Sequence, residues 1–297
     1  MPLGCRGYQL LKVYSPKGGV NMVTSYFDVG SAPAYHPYSN SIYLDDYYTD
    51  DVYTFSVDQT SSINLNLHNI TANDDADLEL YEDTNNNGVL DDTDQYLAGS
   101  WNGGNSDDSI NYQVTAGNYL AQVYHYDLGS DGWLNYDLDL SATPIFPFPA
   151  NDPAQAPNLL PREVEVGHIA LGSLDSETIT QFGWVGHDDN DFYTDSNTAD
   201  TYHFSASGSN DGVDISVDLT GLSSDADIRL IQDHNWNQIV DPGEVIASST
   251  FGGSSSESFS TYVDNFDLAS YDHFVQVYQY YGNTNYDLNM TFESVIG

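Results

Sequence analysis

The sequence predicts an all-β protein made of two tandem antiparallel β-sandwich domains of the jelly-roll type, joined by a proline-rich linker. Three observations support this prediction. Apolar and polar residues alternate in many short runs, a set of motifs recurs after about 150 residues, and six of the eleven prolines lie in residues 144–161. Alternation with period two is typical of strands with one buried face, and a recurring set of strands indicates a repeated domain.

The alternating runs are clearest in the middle of each copy. Ile63, Leu65 and Leu67 are separated by polar residues, and Val213 to Leu219 follow the same pattern. The dipeptides Asn87-Gly88 and Asn102-Gly103 indicate turns between runs. No convincing amphipathic helix is present, so we expect seven or eight short strands per copy. Further alternating runs occupy residues 52–57, 109–114, 118–124, 257–263, 273–279 and 285–292.

The repeat divides the chain. Asp77-Leu-Glu-Leu matches Asp227-Ile-Arg-Leu, and Asn135-Tyr-Asp-Leu matches Asn285-Tyr-Asp-Leu. The prolines between the copies predict a semi-rigid, extended linker. We therefore predict an irregular or edge-strand leader at 1–24, a first sandwich at 25–143, a linker at 144–162 and a second sandwich at 163–297.

The composition excludes several classes of function. With 45 Asp and Glu against 5 Lys and Arg, the formal net charge is −40. Such a surface repels nucleic acids and anionic membranes and attracts cations, although adaptation to a salty habitat is an alternative explanation. The single cysteine, Cys5, cannot form an intrachain disulfide, so metal ions are the expected stabilisers. No stretch is long and apolar enough to span a membrane.

A twelve-residue loop in each copy has the oxygen spacing of a calcium site. The first would use Asp83, Asn85, Asn87, the carbonyl of Val89, Asp91 and Asp94; the second would use Asp233, Asn235, Asn237, the carbonyl of Ile239, Asp241 and Glu244. Calcium takes six to eight oxygen ligands from loops of this kind. Gly88 occupies the sixth position of the first loop, whereas Gln238 occupies it in the second and makes the turn costlier. The alternative is an Asn- and Asp-rich hairpin loop without a metal ion.

Other polar and aromatic groups are less specific. The acidic stretches 73–77 and 225–227 are interpreted as solvated turns, and Asp127 to Asp131 is a similar, unrepeated candidate. Tyr124, Tyr126 and Trp101 could form a binding face, although core packing is favoured for such residues. Neither a Gly-x-Ser-x-Gly elbow nor a His-Glu-x-x-His zinc motif is present. A glycosidase-like pair of catalytic carboxylates is an alternative that the many Asp and Glu residues leave open.

The order of motifs resembles the bacterial pre-peptidase C-terminal domain family. The resemblance depends on Asp51-Val-Tyr-Thr-Phe, Asp75 to Leu80, Tyr119-Leu-Ala-Gln-Val-Tyr and Asn135-Tyr-Asp-Leu, with counterparts in the second copy beginning at Asp200, Asp225, Phe274 and Asn285. It implies a jelly-roll-like sandwich of the kind appended to secreted peptidases. It also implies binding to calcium, collagen or polysaccharide in some relatives.

These observations predict a non-catalytic, calcium-binding module that is secreted or lies at the cell surface. It would mediate attachment to matrix, polysaccharide or protein. One alternative is an ancillary C-terminal part of a secreted peptidase. Another is a self-assembling homopolymer that donates the apolar segment Val20–Val29 to the sheet edge of a neighbour. We expect neither a nucleic-acid partner nor a membrane span.

Overall fold

The chain folds into two compact units, residues 1–144 and residues 145–297. The computed structural model describes residues 9–14, 22–33, 37–144, 157–173, 175–188, 195–208 and 211–295. The predicted linker lies outside the described residues from 145 to 156. Nearly all regular structure in both units is β-strand.

The described residues of the first unit form ten strands in two sheets. Their order is β1-β2-β4-β9-β6-β7 in one sheet and β3-β10-β5-β8 in the other. The strands are β1 Gln9–Tyr14, β2 Met22–Ser31, β3 Tyr38–Asp45, β4 Tyr48–Val57, β5 Ser61–His68, β6 Asp75–Glu82, β7 Gln95–Ser100, β8 Asp108–Val114, β9 Gly117–Asp127 and β10 Trp133–Pro144.

The second unit repeats this order. Its sheets are β11-β14-β19-β16-β17 and β13-β12-β20-β15-β18. Among the described residues, two edge strands have no counterpart in the other unit, β1 in the first and β13 in the second. The elements are β11 Val164–Ala170, β12 Ser176–Asp188, β13 Asp195–Asn197, β14 Ala199–Ser207, β15 Gly212–Thr220, β16 Asp225–Asp233, β17 Val245–Ser249, β18 Glu257–Asp264, α1 Asn265–Ser270, β19 Asp272–Tyr281 and β20 Thr284–Val295.

Each unit buries its own apolar core. In the first, Ile63, Leu65 and Leu67 of β5 are buried, and in the second Ile215 and Leu219 of β15 are buried in the corresponding strand. Side chains that alternate along a strand leave on opposite faces, so one face of each sheet supplies the core. The all-β fold class with tandem sandwich units is confirmed.

Each unit also has one parallel pair of strands that the sequence did not predict. β2 runs parallel to β4, and β11 runs parallel to β14, with a register shift in both pairs. β2 skips one residue before Gly30, and β11 skips one before Gly167; these glycines have a positive φ, at +76° and +100°. Glycine adopts this conformation without the clash of a Cβ atom, which allows an extra residue in the strand.

The chain before residue 25 contributes to the first sandwich. β2 begins at Met22 and lies between β1 and β4 in its own sheet. Val23 and Phe27 are buried there. The described part of the segment Val20–Val29 is therefore already paired within its own unit.

Residues at the end of the predicted linker pack onto the second unit. Leu159 forms a bridge with Ile239, and Leu160 is fully buried. The short helix α1 was not predicted, because six residues are too few to show a helical period. Its N-cap, Asp264, accepts a hydrogen bond from the amide of Asp267. No helix in the described ranges is long and apolar enough to cross a membrane.

Candidate functional site

The first predicted calcium loop connects β6 to β7 and folds around a buried carboxylate. Asp83 is 5% exposed, and its two oxygens accept the amides of Asn87 at 3.1 Å and Gly88 at 2.8 Å. The side-chain amides of Asn85 and Asn87 both donate to Asp91 Oδ2, at 3.1 and 2.9 Å. The side chains at positions 3, 5 and 9 are thus bonded to one another, and the side chain at position 1 holds the loop backbone at positions 5 and 6.

The second loop, between β16 and β17, reproduces these contacts. Asp233 is fully buried and accepts the amides of Asn237 at 3.3 Å and Gln238 at 2.9 Å. Asn235 and Asn237 donate to Asp241 Oδ2 at 2.9 and 3.1 Å. Two different sequences therefore build the same loop.

Backbone conformation agrees at the same positions. The fourth and sixth residues have positive φ in both loops, at +56° for Asn86 and +63° for Gly88, and at +56° for Trp236 and +57° for Gln238. A side chain disfavours this region by about 1–2 kcal/mol. The second loop maintains the turn at Gln238 despite this penalty.

The twelfth position closes each loop. Asp94 accepts the amide of Asp91 at 2.9 Å, and Glu244 accepts the amide of Asp241 at 2.8 Å. The longer Glu244 also reaches the amide of His234 at 2.9 Å. The shorter Asp94 makes no such hydrogen bond of normal geometry through its buried Oδ1, although the backbone of Thr84, at the position of His234, lies close enough to offset part of the rise in pKa that burial causes.

Two carboxylates of the first loop, Asp91 and Asp94, have shifted pKa values. Hydrogen bonds from Thr93 are the main reason that the pKa of Asp91 lies well below its ordinary value. Burial raises the pKa of Asp94, and the charges of Asp91 and Asp83 add to that rise. Because Asp94 lies beside the two carboxylates Asp83 and Asp91, a cation bound in the loop would stabilise its ionised form.

Apolar residues attach both loops to the outer face of the sheet. Val89 and Leu90 pack against Tyr26, Val52 and Leu120 in the first unit. Val240 packs against Leu160, Ile231 and Phe274 in the second. These apolar side chains hold the loop backbone in place without occupying any of the side-chain ligand positions.

The donor set is suited to calcium in its chemistry. All side-chain donors at the predicted positions are oxygens of carboxylates or amides, which calcium prefers. Among the described residues, no three His, Cys, Asp or Glu side chains are grouped to hold a metal ion. Any ion in these loops would therefore depend on Asn side chains and backbone carbonyls as well as on carboxylates.

A buried Asp-Tyr-Tyr chain explains the recurring motifs that the sequence analysis left without a role. The Tyr136 hydroxyl donates to Asp51 Oδ2 at 2.7 Å and lies 2.7 Å from the Tyr53 hydroxyl. In the second unit Tyr286 donates to Asp200 and lies 2.7 Å from Tyr202. Burial raises the pKa of Tyr53 and Tyr136 well above the ordinary value. These residues connect the two sheets of each sandwich.

In the acidic stretches 73–77 and 225–227, Asn73 lies in an exposed turn, as interpreted, but Asp74, Asp77, Asp225 and Asp227 are buried, so the interpretation of these carboxylates as solvated is wrong. Asp77 and Asp227 are each 4% exposed. Burial, with Asp225 and Glu257 nearby, raises the pKa of Asp227 to about 8. Asp108, which is fully buried, has its pKa raised to about 6 mainly by burial. Burial of these carboxylates depends on residues from other strands and loops, which a local sequence pattern does not show.

The predicted aromatic face differs between the units. In the first, Tyr126 is 73% exposed and Trp101 is 56% exposed, and the Tyr124 hydroxyl bonds to Asp77 and to the Trp101 indole. In the second, Tyr278 is buried and contacts Ala199. Core packing therefore describes Tyr278, whereas Phe251, the counterpart of Trp101 in the second unit, is 61% exposed and faces solvent as Trp101 does.

A histidine next to a carboxylate does not form a hydrolase arrangement. His68 Nε2 lies 2.8 Å from Asp139 Oδ2, and both side chains are 4% exposed. Ser39 donates to the same Asp139 and not to the histidine. A serine nucleophile needs a hydrogen bond to its base, and this group does not provide one.

Comparison with known proteins places the family resemblance in the first unit. Residues 49–125 match the family model of the bacterial pre-peptidase C-terminal domain, a stretch that runs from β4 to β9. The model matches one stretch of the chain. No curated protein sequence matches the chain.

Solved structures give weaker similarities. The pre-peptidase C-terminal domain of collagenase from Bacillus anthracis is 22% identical, covers 39% of this chain and 93% of its own, and has a TM-score of 0.29. The PBSX exported protein XepA is 11% identical, covers 95% of this chain and 93% of its own, and has a TM-score of 0.28. Similarities at these TM-scores carry no functional information.

Proposed function

We propose that this chain, whose first unit carries a pre-peptidase C-terminal domain, is a non-catalytic, calcium-stabilised module that mediates attachment outside the cell. The main support is the agreement of the two loops. Loops of different sequence share the Asp, Asn, Asn and Asp side chains at their first, third, fifth and ninth positions, the hydrogen bonds that these residues make, and the same positive-φ positions. A hairpin that served only as a turn would not need matched oxygens at six positions.

The charge balance adds physical support. No Lys or Arg occurs between Lys17 and Arg162, so the described first unit from residue 22 to 144 has no strongly basic side chain to balance its carboxylates. A divalent cation in the loop would reduce this repulsion and connect the end of β6 to the start of β7. Asn at two ligand positions lowers the ligand charge, so a dissociation constant on the order of 10⁻⁴–10⁻³ M is expected.

Each ligand residue would have a definite role. Asp83 and Asp233 would provide charged oxygens from the ends of β6 and β16, held in place by the amides at the fifth and sixth positions. Asp94 and Glu244 would close the site, and Glu244 is the better bidentate ligand because its side chain is longer. Val89 and Ile239 would contribute backbone carbonyls.

The exposed aromatic residues of the first unit support the attachment role. Trp101, Tyr96 and Tyr126 are 45–73% exposed on the described surface. Rigid aromatic side chains suit stacking on sugars and contact with extended peptides at low entropic cost. Matrix polysaccharides or proteins are therefore the proposed partners, and the site of action is the cell surface or the medium.

The family match favours a second candidate, an ancillary part of a secreted peptidase. Mass spectrometry of culture medium would test it by detecting the chain joined to a peptidase in one precursor. Detection only as a separate protein would argue against this candidate.

Thermal unfolding tests the calcium proposal. With calcium at a hundredfold excess over its dissociation constant, each site should add about 2.7 kcal/mol to the stability of its unit. The melting temperature should therefore rise from chelator to calcium and respond less to the same concentration of magnesium. Identical melting curves in chelator and in excess calcium would contradict the proposal.

A further inference from the structure

In the second unit, the chain itself covers the outer face of the sheet. We call Pro157–Leu160 the strap. Arg229 donates to the carbonyl of Pro157, and Gln276 Nε2 donates to the carbonyl of Leu159 at 3.0 Å. The side chains of Leu159 and Leu160 are almost completely buried. An extended peptide is therefore held by its backbone carbonyls and by two apolar side chains.

The same face exists in the first unit in the same register. Arg229 is paired with Gln276 across β16 and β19, and Glu79 is paired with Gln122 across β6 and β9. The glutamine is thus retained, whereas glutamate replaces the arginine. A glutamine side chain can hydrogen-bond to a peptide backbone of any sequence. Arg229 donates hydrogen bonds and needs an acceptor on the bound segment, whereas Glu79 accepts hydrogen bonds and needs a donor there.

This face is more open in the first unit. Gln276 is 1% exposed under the strap, whereas Glu79 and Gln122 are half-buried. Trp101 and Tyr96 stand beside them, 56% and 45% exposed. Within the described residues of the first unit, β2 lies in the sheet between β1 and β4 and does not cross this face.

We propose that this face of the first unit binds an extended peptide segment of a partner protein, with a Lys or Arg side chain placed against Glu79. The segment would lie as the strap lies in the second unit. Gln122 would donate to one of its carbonyls, and Trp101 and Tyr96 would pack against its side chains. The inference rests on the proposed attachment role and specifies its partner.

Charge complementarity selects a basic partner. The Glu79 carboxylate accepts a hydrogen bond from Tyr81 and lies close enough to Asp77 to raise the pKa of that residue, after burial and together with Asp75. Lys and Arg are absent from residues 18–161, so the cation would come from a segment outside this part of the chain. A buried or half-buried carboxylate gains most from a partner that both neutralises and hydrogen-bonds it.

Fluorescence anisotropy with two labelled peptides tests the inference on the full chain. Both copy residues 155–162, one with Pro157→Lys and the other with Pro157→Glu, at about 0.15 M salt to screen long-range attraction. The Lys peptide should bind at least tenfold more tightly. Glu79→Arg should remove that preference, because the carboxylate is replaced by a cation.

The control must account for the overall negative charge. Asp58→Arg makes the same change in charge at an exposed position in the β4–β5 turn, and it should leave both affinities within about twofold. Equal affinities of the two peptides for the unaltered chain, or equal losses in Asp58→Arg and Glu79→Arg, would overturn the inference.

A second variant covers the case in which Glu79→Arg does not fold, as judged by circular dichroism. Gln122→Leu should weaken binding of the Lys peptide at least fivefold by removing the donor to its backbone, and unchanged binding would overturn the inference. Calcium titration of the same proteins separates the two proposals. If the unaltered chain binds calcium but neither peptide, the peptide inference is wrong and the calcium proposal stands. The same conclusion follows if the chain binds a soluble polysaccharide and no peptide.

Discussion

Gln238 in the second loop holds a φ of +57°, within a few degrees of the +63° of Gly88 at the same position of the first loop. The two residues also donate their amides to the equivalent carboxylates, Asp233 and Asp83. The conformation is therefore required by the loop and not by glycine. This relationship allows the backbone requirement to be tested separately from the ligands.

Gly88→Ala should destabilise the first unit by about 1 kcal/mol in chelator. A Cβ atom at Gly88 would meet no heavy atom within 4 Å, so the effect would come from the backbone alone. Urea unfolding would measure it. Gly103→Ala is the matched control, since a Cβ atom there also meets nothing within 4 Å and its φ is not positive. Equal effects at both glycines would contradict the interpretation.

Tyr136→Phe should cost about 1–3 kcal/mol, because it removes the hydroxyl that donates to the buried Asp51 carboxylate. Asp51 is 1% exposed, so the oxygen that accepts this hydrogen bond would stay buried without that donor. Tyr126→Phe, at a position 73% exposed, should change stability by no more than about 0.5 kcal/mol. Denaturant unfolding of the two variants would show the difference, and similar losses would contradict the structural role of the Asp-Tyr-Tyr chain.

Asp227→Asn should make the second unit less sensitive to pH. The pKa of Asp227 in the folded chain is about 8, above its ordinary value near 4, because of burial and then the charges of Asp225 and Glu257. A raised folded pKa means that its contribution to stability is complete below pH 4 and is lost as pH rises through 8. Unfolding free energies of the two proteins between pH 4 and 9 test this. The unaltered chain should lose up to about 1.4 kcal/mol per pH unit relative to the variant. Parallel pH curves would show that Asp227 does not take up a proton in the folded chain.

A protein of residues 157–297 should be more stable than one of residues 163–297. The longer protein retains Leu159 and Leu160, each worth about 1.5–3 kcal/mol when fully buried, and the hydrogen bonds from Arg229 and Gln276 to the strap. Thermal unfolding of both, in the same calcium concentration, would measure the difference. Equal melting temperatures would mean that the strap contributes nothing to this unit.

Local patterns predicted most of the fold. Alternation at Ile63–Leu67 and Val213–Leu219 is a property of neighbouring residues, and the structure places both runs in strands. The Asn-Tyr-Asp-Leu motif was visible as a repeat, but its role was not. Tyr136 and Asp51 are 85 residues apart and meet only when the two sheets pack.

Burial of polar groups was the least predictable feature. Asp77 looked like part of a solvated turn, since an Asp at the start of a strand has the same sequence signal whether or not other residues cover it. Its position depends on Tyr124 and Trp101, which lie on β9 and in the loop after β7. Similarly, the proline content of residues 144–162 predicted a linker and gave no sign that Leu159 and Leu160 would be buried.

Calorimetric titration with calcium tests the central claim most directly. The unaltered chain should bind two calcium ions, and Asp83→Ala and Asp233→Ala should each bind one. Asp92→Ala is the matched control for charge, because Asp92 is an exposed carboxylate of the same loop at a position that is not a ligand. It should still bind two ions. If Asp83→Ala and Asp92→Ala bind calcium with the same stoichiometry and affinity, the loop is only a turn and the proposed calcium sites are wrong.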